Sequence, residues 1–237
     1  MKKNKEVKSD FLCGLWDGIP VGLGYLSVSF GFGIMAVGSG LTVFDAFIIS
    51  LTNLTSAGQA QGVTVIASGG TLLEMALVQL VINIRYALMS LSLSQKLDQS
   101  FTLPHRLLAA YGITDEIFAV CSTKNSTLRP RYMYGTVLVS MSGWVSGTFL
   151  GAAAGELLPA SVTAALGILL YGMFIAIVVP PASKEKSILF VVVITSVLSV
   201  MCHYWVPTLS GGFAVILCAV AAAVLGAVLF PRKEEEE

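Results

Sequence analysis

One guanidinium, two adjacent carboxylates and a run of amides and hydroxyls are the residues of this sequence whose types and spacing could do chemistry. Arg85 stands in the string Val81-Ile82-Asn83-Ile84-Arg85-Tyr86, inside the otherwise apolar stretch 72–93. An arginine at the centre of a membrane helix costs roughly 2.5 to 3.5 kcal/mol on insertion scales, so such residues are usually paired or face a watery cavity. Asp115 and Glu116 follow in Tyr111-Gly112-Ile113-Thr114-Asp115-Glu116-Ile117. Gly112 can break a helix there and Thr114 can cap the next one, which would put both acids at a helix N-terminus where the dipole favours their charge. Adjacent carboxylates in a low dielectric also repel, so one of the two is expected to hold its proton more tightly and to be able to couple proton movement to transport. The third group, Thr52, Asn53, Thr55, Ser56, Gly58, Gln59, Gln61 and Gly62, interrupts the segment 43–67. Half-helix ends at such a break can hold the carboxylate or ammonium of a zwitterion.

Elements able to position these groups must lie in a bilayer. With 55% hydrophobic residues, 12% charged ones and a mean hydropathy of +0.82, the chain reads as an all-α integral membrane protein, a single transmembrane domain over 1–237. The net charge is zero and carries no information about partners. Lys2, Lys3, Lys5 and Lys8 precede no cleavage signal, so the start reads as an uncleaved cytoplasmic tail, and the acids 234–237 as a solvated end. Cys13, Cys121, Cys202 and Cys218 have neither CxxC nor His spacing, which argues for free thiols and against a metal site or disulfide framework. No cofactor motif and no nucleic-acid signature is present.

Strong apolar segments run over 19–37, 72–93, 132–154, 162–179, 188–204 and 213–230, with weaker ones at 43–67 and 104–122. Positive residues favour the cytoplasmic side, and both ends are basic, so both termini are expected inside. Eight crossings would put Lys96 and Arg106 outside. Six would keep every loop charge inside, provided that 43–67 re-enters from outside and 104–122 does not fully cross; spacing alone leaves both counts open. Broken helices are tolerated at membrane depth only where they line a cavity or are buried in protein. Leu26-Ser27-Val28-Ser29-Phe30-Gly31 resembles Val139-Ser140-Met141-Ser142-Gly143-Trp144 at an offset of 113 residues. Halves 18–93 and 131–205 related by an inverted repeat, or a chance likeness of Gly/Ser-rich helices, would both explain it. Gly14, Gly18 and Gly22, and Gly143, Gly147, Gly151 and Gly155, mark small faces for close helix approach, expected within the chain more than between subunits. Asp17 and Pro20 suggest a helix start with Pro in its first turn.

At 100° per residue, Gln79, Asn83, Tyr86 and Ser90 share one stripe of their helix. That stripe reads equally as a cavity wall or as ordinary interhelical hydrogen bonding. Arg85 points almost opposite Asn83, so it is expected to meet another helix, with Asp115 or Glu116 as partner. The candidate substrate-binding residues are therefore Asn53, Ser56, Gly58, Gln61, Gln79, Asn83 and Tyr86, and the candidate coupling residues Arg85, Asp115 and Glu116. With only His105 and His203 as histidines, enzyme chemistry is not expected; His203, beside Tyr204 and Trp205, reads as part of an interfacial aromatic belt.

Four blocks carry a family resemblance: Gly18-Ile19-Pro20; Ser50 with Ala57-Gly58-Gln59-Ala60-Gln61; Asn83-Ile84-Arg85-Tyr86 with Leu88-Met89; and Thr114-Asp115-Glu116-Ile117-Phe118-Ala119. Over most of its length the chain resembles the AzlC-type large subunits of bacterial branched-chain amino acid exporters. The resemblance implies a bacterial cell-membrane permease exporting valine, leucine, isoleucine and, at the margin, methionine, with a separately encoded small AzlD-like membrane subunit. The chain has no Walker A motif, which favours proton coupling over an ATPase partner. It departs from the family pattern in polarity, at Thr52, Asn53, Thr55, Gln59 and Gln79, and a different, more polar amino acid would suit such a cavity. A passive pore for small zwitterions is the rival from another class.

Overall fold

The structure, a computed structural model, describes residues 2–159, 178–206 and 208–231, together with 161, 172 and 175. Those residues are helical apart from short connections, and five of their helices are long and apolar enough to cross a membrane. Most of the apolar segment 162–179 lies outside the described residues, as do the acids 234–237. Contacts divide the chain into two compact units, Met1–Ala60 with Asn83–Leu170, and Gln61–Ile82 with Tyr171–Glu237.

The first unit is built on α1 (Lys2–Gly38) and α7 (Pro130–Leu157). The glycine series explains how they meet. A Cβ on Gly143 would fall on the backbone of Gly22, and one on Gly151 on the backbone of Phe30. The two helices therefore touch main chain to main chain, which supplies dispersion contact where lipid offers no hydrophobic drive. Partner numbers rise together along both helices, so α1 and α7 run parallel. Helices related by an inverted repeat would run in opposite directions, so the likeness of 26–31 to 139–144 does not report that relation. The expected helix start near Asp17 is also corrected, because α1 continues from Lys2 through Pro20. Packing against α7 along its length maintains the helix across the one hydrogen bond that Pro20 removes.

Between α1 and α7 the chain forms α2 (Val43–Thr52), α3 (Ala57–Ala67), α4 (Leu72–Ser94), α5 (Leu103–Tyr111) and α6 (Asp115–Ser122). Thr42 and Asp45 close a capping box at the start of α2, and the helix stops at Asn53, which is extended. Ser56, with φ of 40°, turns the chain into α3. In the second broken segment Gly112 caps the end of α5, and the Thr114 hydroxyl accepts from the Ile117 amide to cap α6.

One end of the first unit gathers the basic residues. Arg129 reaches Asp10 at 3.0 Å and Asp98 at 3.5 Å, while Lys124 reaches Asp17 at 3.5 Å. Lys96 donates to the carbonyls of Ser122 and Lys124, and a single bridge pairs Leu97 with Leu128. The Ser100 hydroxyl holds the Asp98 carboxyl below the usual carboxylate range, helped by the Ser100 amide and Arg129. Lys96 thus shares one end with Lys124 and Arg129, which overturns the eight-crossing arrangement that separated them. α5 leaves this end and α6 returns to it, so 104–122 is a hairpin that does not cross. α1 finishes at the opposite end of the first unit, and α2 enters the unit from there.

In the second unit α8 (Lys186–Trp205) packs on α9 (Gly211–Leu229). Glu74, 3% exposed in the first turn of α4, accepts from the Ser210 hydroxyl and the Gly212 amide at the N-terminus of α9. Cys202 and Cys218 lie with sulfurs 3.8 Å apart and, like Cys13 and Cys121, are free.

Candidate functional site

The tips of the two broken segments come together in the first unit, where the Tyr111 hydroxyl donates to the Leu51 carbonyl. Their depth follows from Tyr25 of α1, which contacts the α5–α6 tip. It lies 15 residues beyond Asp10 in a span ending at Gly38, about 22 Å from one end and about 20 Å from the other. The tips therefore sit near the middle of the spanning pair.

At the α5–α6 tip, Arg85 Nη1 lies 2.7 Å from Asp115 Oδ2. The partner of this charge in the apolar span is thus Asp115, and not Glu116. Arg85 Nη2 donates to Tyr86 Oη at 3.3 Å, and the guanidinium carbon stands 5.1 Å from the Tyr86 ring centre. The angular separation of Arg85 from the polar stripe therefore fails at Tyr86: a guanidinium has enough reach to touch the side chain of the next residue. Glu116 has a different environment. Tyr25 Oη lies 2.5 Å from both Glu116 Oε2 and Thr114 Oγ1. One phenolic proton cannot serve both, so Thr114 donates to Tyr25 and Tyr25 donates to Glu116. The Tyr25 ring packs edge-on against Trp144 at 5.2 Å.

At the α2–α3 tip, Ser50 and Thr148 of α7 share a hydrogen bond of 2.7 Å, and Gln59 Nε2 donates to Ser50 at 3.0 Å. Leu54 packs against Tyr25 and Trp144, so the aromatic pair touches both tips.

The expected substrate residues divide. Asn53 uses its side-chain oxygen to accept from the Thr55 amide at 3.1 Å, which shapes the turn. The Ser56 carbonyl accepts from Ala60, and the Gly58 amide donates to Thr55; Gly58 is buried. Asn83 and Tyr86 are half-buried on α4. Gln61 and Gln79 belong to the second unit, where Gln79 lies against Gly62. In the first unit the tip amide that meets α7 is Gln59, two residues from Gln61 and on another helix face. Tyr25, Trp144 and Thr148 had no sequence signal, being single polar or aromatic residues in apolar helices. Glu74 has one, an acid in the first turn of an apolar span. No group of three His, Cys, Asp or Glu side chains able to hold a metal occurs among the described residues.

Comparison with known proteins adds a lineage. A sequence model described as AzlC protein matches residues 20–158, which contain both tips. The chain is 28% identical over 225 residues to the Inner membrane protein YgaZ of Escherichia coli (strain K12), covering 92% of this chain and 91% of that one. It is 34% identical over 172 residues to an uncharacterized membrane protein of Archaeoglobus fulgidus, covering 72% and 75%. An uncharacterized membrane protein of Helicobacter pylori (strain J99) is 26% identical over 155 residues, covering 62% and 67%. No solved structure matches.

Proposed function

Because the chain belongs to the AzlC family of membrane proteins, we propose that it is a secondary-active exporter of branched-chain amino acids, driven by inward proton movement and assembled with a small AzlD-like subunit. Valine, leucine and isoleucine are the expected substrates, with methionine at the margin. The basic end faces the cytoplasm of a bacterial cell, and both termini lie on that side, as the rule for positive loop residues requires.

The observation that carries this reading is the unequal pairing of the two acids. Protonating Asp115 would leave the Arg85 guanidinium beside it without a counter-charge, which is costly in a low-dielectric site. Protonating Glu116 strands no cation, since its partner is the neutral Tyr25 hydroxyl. Glu116 is therefore the proton carrier, Asp115 the fixed counter-ion, and Arg85 the group that holds the α5–α6 tip to α4. Two broken segments entering from opposite ends support alternating access, since non-helical backbone at membrane depth occurs where it lines a cavity. Substrate is held by the polar groups around the tips, for which Asn53, Ser56, Gly58, Asn83 and Tyr86 remain candidates.

The test uses the purified chain, with and without the small subunit, in liposomes loaded with radiolabelled leucine. Imposing a proton gradient across the wild-type membrane should accelerate leucine counter-movement, and a protonophore should remove the acceleration. Glu116→Gln should keep leucine exchange but lose its response to the gradient. Equal fluxes with and without the gradient would point instead to a passive pore.

A further inference from the structure

We infer that polar groups packed between the α2–α3 tip and the α1–α7 pair receive the ammonium group of the transported molecule when the tip moves off the pair. Ser29 Oγ, Thr55 Oγ1, Gln59 Oε1 and Trp144 Nε1 are buried there and have no hydrogen-bond partner. Ser29, Gln59 and Trp144 are 0%, 2% and 1% exposed. Buried polar groups are nearly always satisfied, so four orphans on elements that meet imply a missing group.

Their placement follows from the contacts around them. Ser29 Oγ occupies the space a side chain on Gly147 would take, next to Thr148. Thr148 bonds Ser50, which accepts from Gln59. Trp144 is one helical turn before Thr148 on the same buried face of α7, and it packs on Leu54, the neighbour of Thr55.

Three of the four orphans are oxygens that can accept, and none is a carboxylate. A primary ammonium offers three donors and no acceptor, so a neutral tripod of Ser29, Thr55 and Gln59 matches its valence. The fourth orphan, Trp144 Nε1, is a donor and fits the carboxylate of the same molecule. Tyr25 links this cluster to the coupling group, since its ring lies on Trp144 and its hydroxyl on Glu116. The inference rests on the proposed transport of amino acids, because it assigns the polar end of that substrate.

Thermal unfolding of the full chain in detergent, in choline chloride, separates the alternatives. The ligands are L-leucine, 3-methylbutylamine, which lacks the carboxylate, 4-methylpentanoate, which lacks the ammonium, and sodium ion alone. Leucine and the amine should raise the unfolding temperature of wild type, and the acid and sodium should not. Gln59→Leu should raise the leucine concentration giving half the shift at least tenfold. Ser29→Ala, which removes one hydroxyl and leaves the fold contacts, should raise it at least threefold and carries the test if Gln59→Leu does not fold. Leucine protection that both variants retain within twofold would overturn the ammonium site and leave the transport reading standing. Protection by the amine but not by leucine would keep the site and remove the amino acid reading. Protection by sodium alone, or by none of the ligands, would overturn the site.

Discussion

Replacing Asp115 by Asn removes one charge from the Arg85–Asp115 pair while keeping its shape, and the consequence can be worked through. Two unit charges about 4 Å apart attract by about 4 kcal/mol at an effective dielectric of about 20. The side chains of Arg85 and Asp115 retain 39% and 30% of their surface. Solvent screening and the ordering of two flexible chains reduce the net coupling to about 1–2 kcal/mol. Asp115→Asn should cost more than that, about 2–3 kcal/mol, because the guanidinium is left without its counter-charge. Arg85→Gln should cost a similar amount, and Arg85→Gln with Asp115→Asn less than the two together, by about 1–2 kcal/mol. Arg85→Lys should recover only part, since an ammonium cannot hold Asp115 and Tyr86 at once as the two guanidinium nitrogens do. Reversible unfolding in mixed micelles, measured on all four proteins, closes the cycle. Additivity within about 0.5 kcal/mol would mean that the pair is not energetically coupled, and the assignment of Asp115 as fixed counter-ion would fail.

Three further outcomes are expected. Gly143→Leu should destabilise the first unit by about 3 kcal/mol or more, because its side chain must displace the Gly22 backbone; Gly24→Leu, on α1 with nothing within 4 Å of its would-be Cβ, should be tolerated, and equal unfolding midpoints for the two would contradict the packing. Glu74→Ala should leave the Ser210 hydroxyl and Gly212 amide without an acceptor and cost about 1–3 kcal/mol, seen as faster hydrogen exchange at the start of α9. Asp98 has a folded pKa below its ordinary 3.8, so its stabilising contribution is full above that value and is lost as pH falls through the lower folded value. Amide exchange at Ser100, which donates to Asp98, should accelerate on acidification below that ordinary value, and Asp98→Asn should remove the dependence.

The spans and their interruptions were legible because both are local. Long apolar runs give α1, α4, α7, α8 and α9, and Gly112 with Thr114 marks the break before α6 through residue-level capping chemistry. Arg85 announced a carboxylate partner because an unpaired charge in an apolar span is costly, but choosing Asp115 over Glu116 required knowing where Tyr25 stands. No periodicity reveals that, since a tyrosine in an apolar helix pairs across 91 residues of sequence. Pro20 misled in the other direction: its local preference for a helix start gives way to packing on α7. Gln61 stands among the expected substrate residues and Gln59 does not, because the face that each presents is fixed only by the register in which α3 leaves the turn at Ser56.

Contact of α1 with α7 through bare backbone also limits how the molecule can move. The backbones of Leu26 and Phe30 lie directly on Gly147 and Gly151, and close-packed interfaces do not deform gradually. The pair is therefore a stiff spar. Under the proposed transport, access to either side of the membrane alternates by motion of the hairpins flanking it, whose tips meet through the Tyr111 to Leu51 hydrogen bond. A tyrosine that lets go of a carbonyl is a smaller event than a helix that changes register, and on that reading the hinge of the cycle lies at the breaks in 43–67 and 104–122.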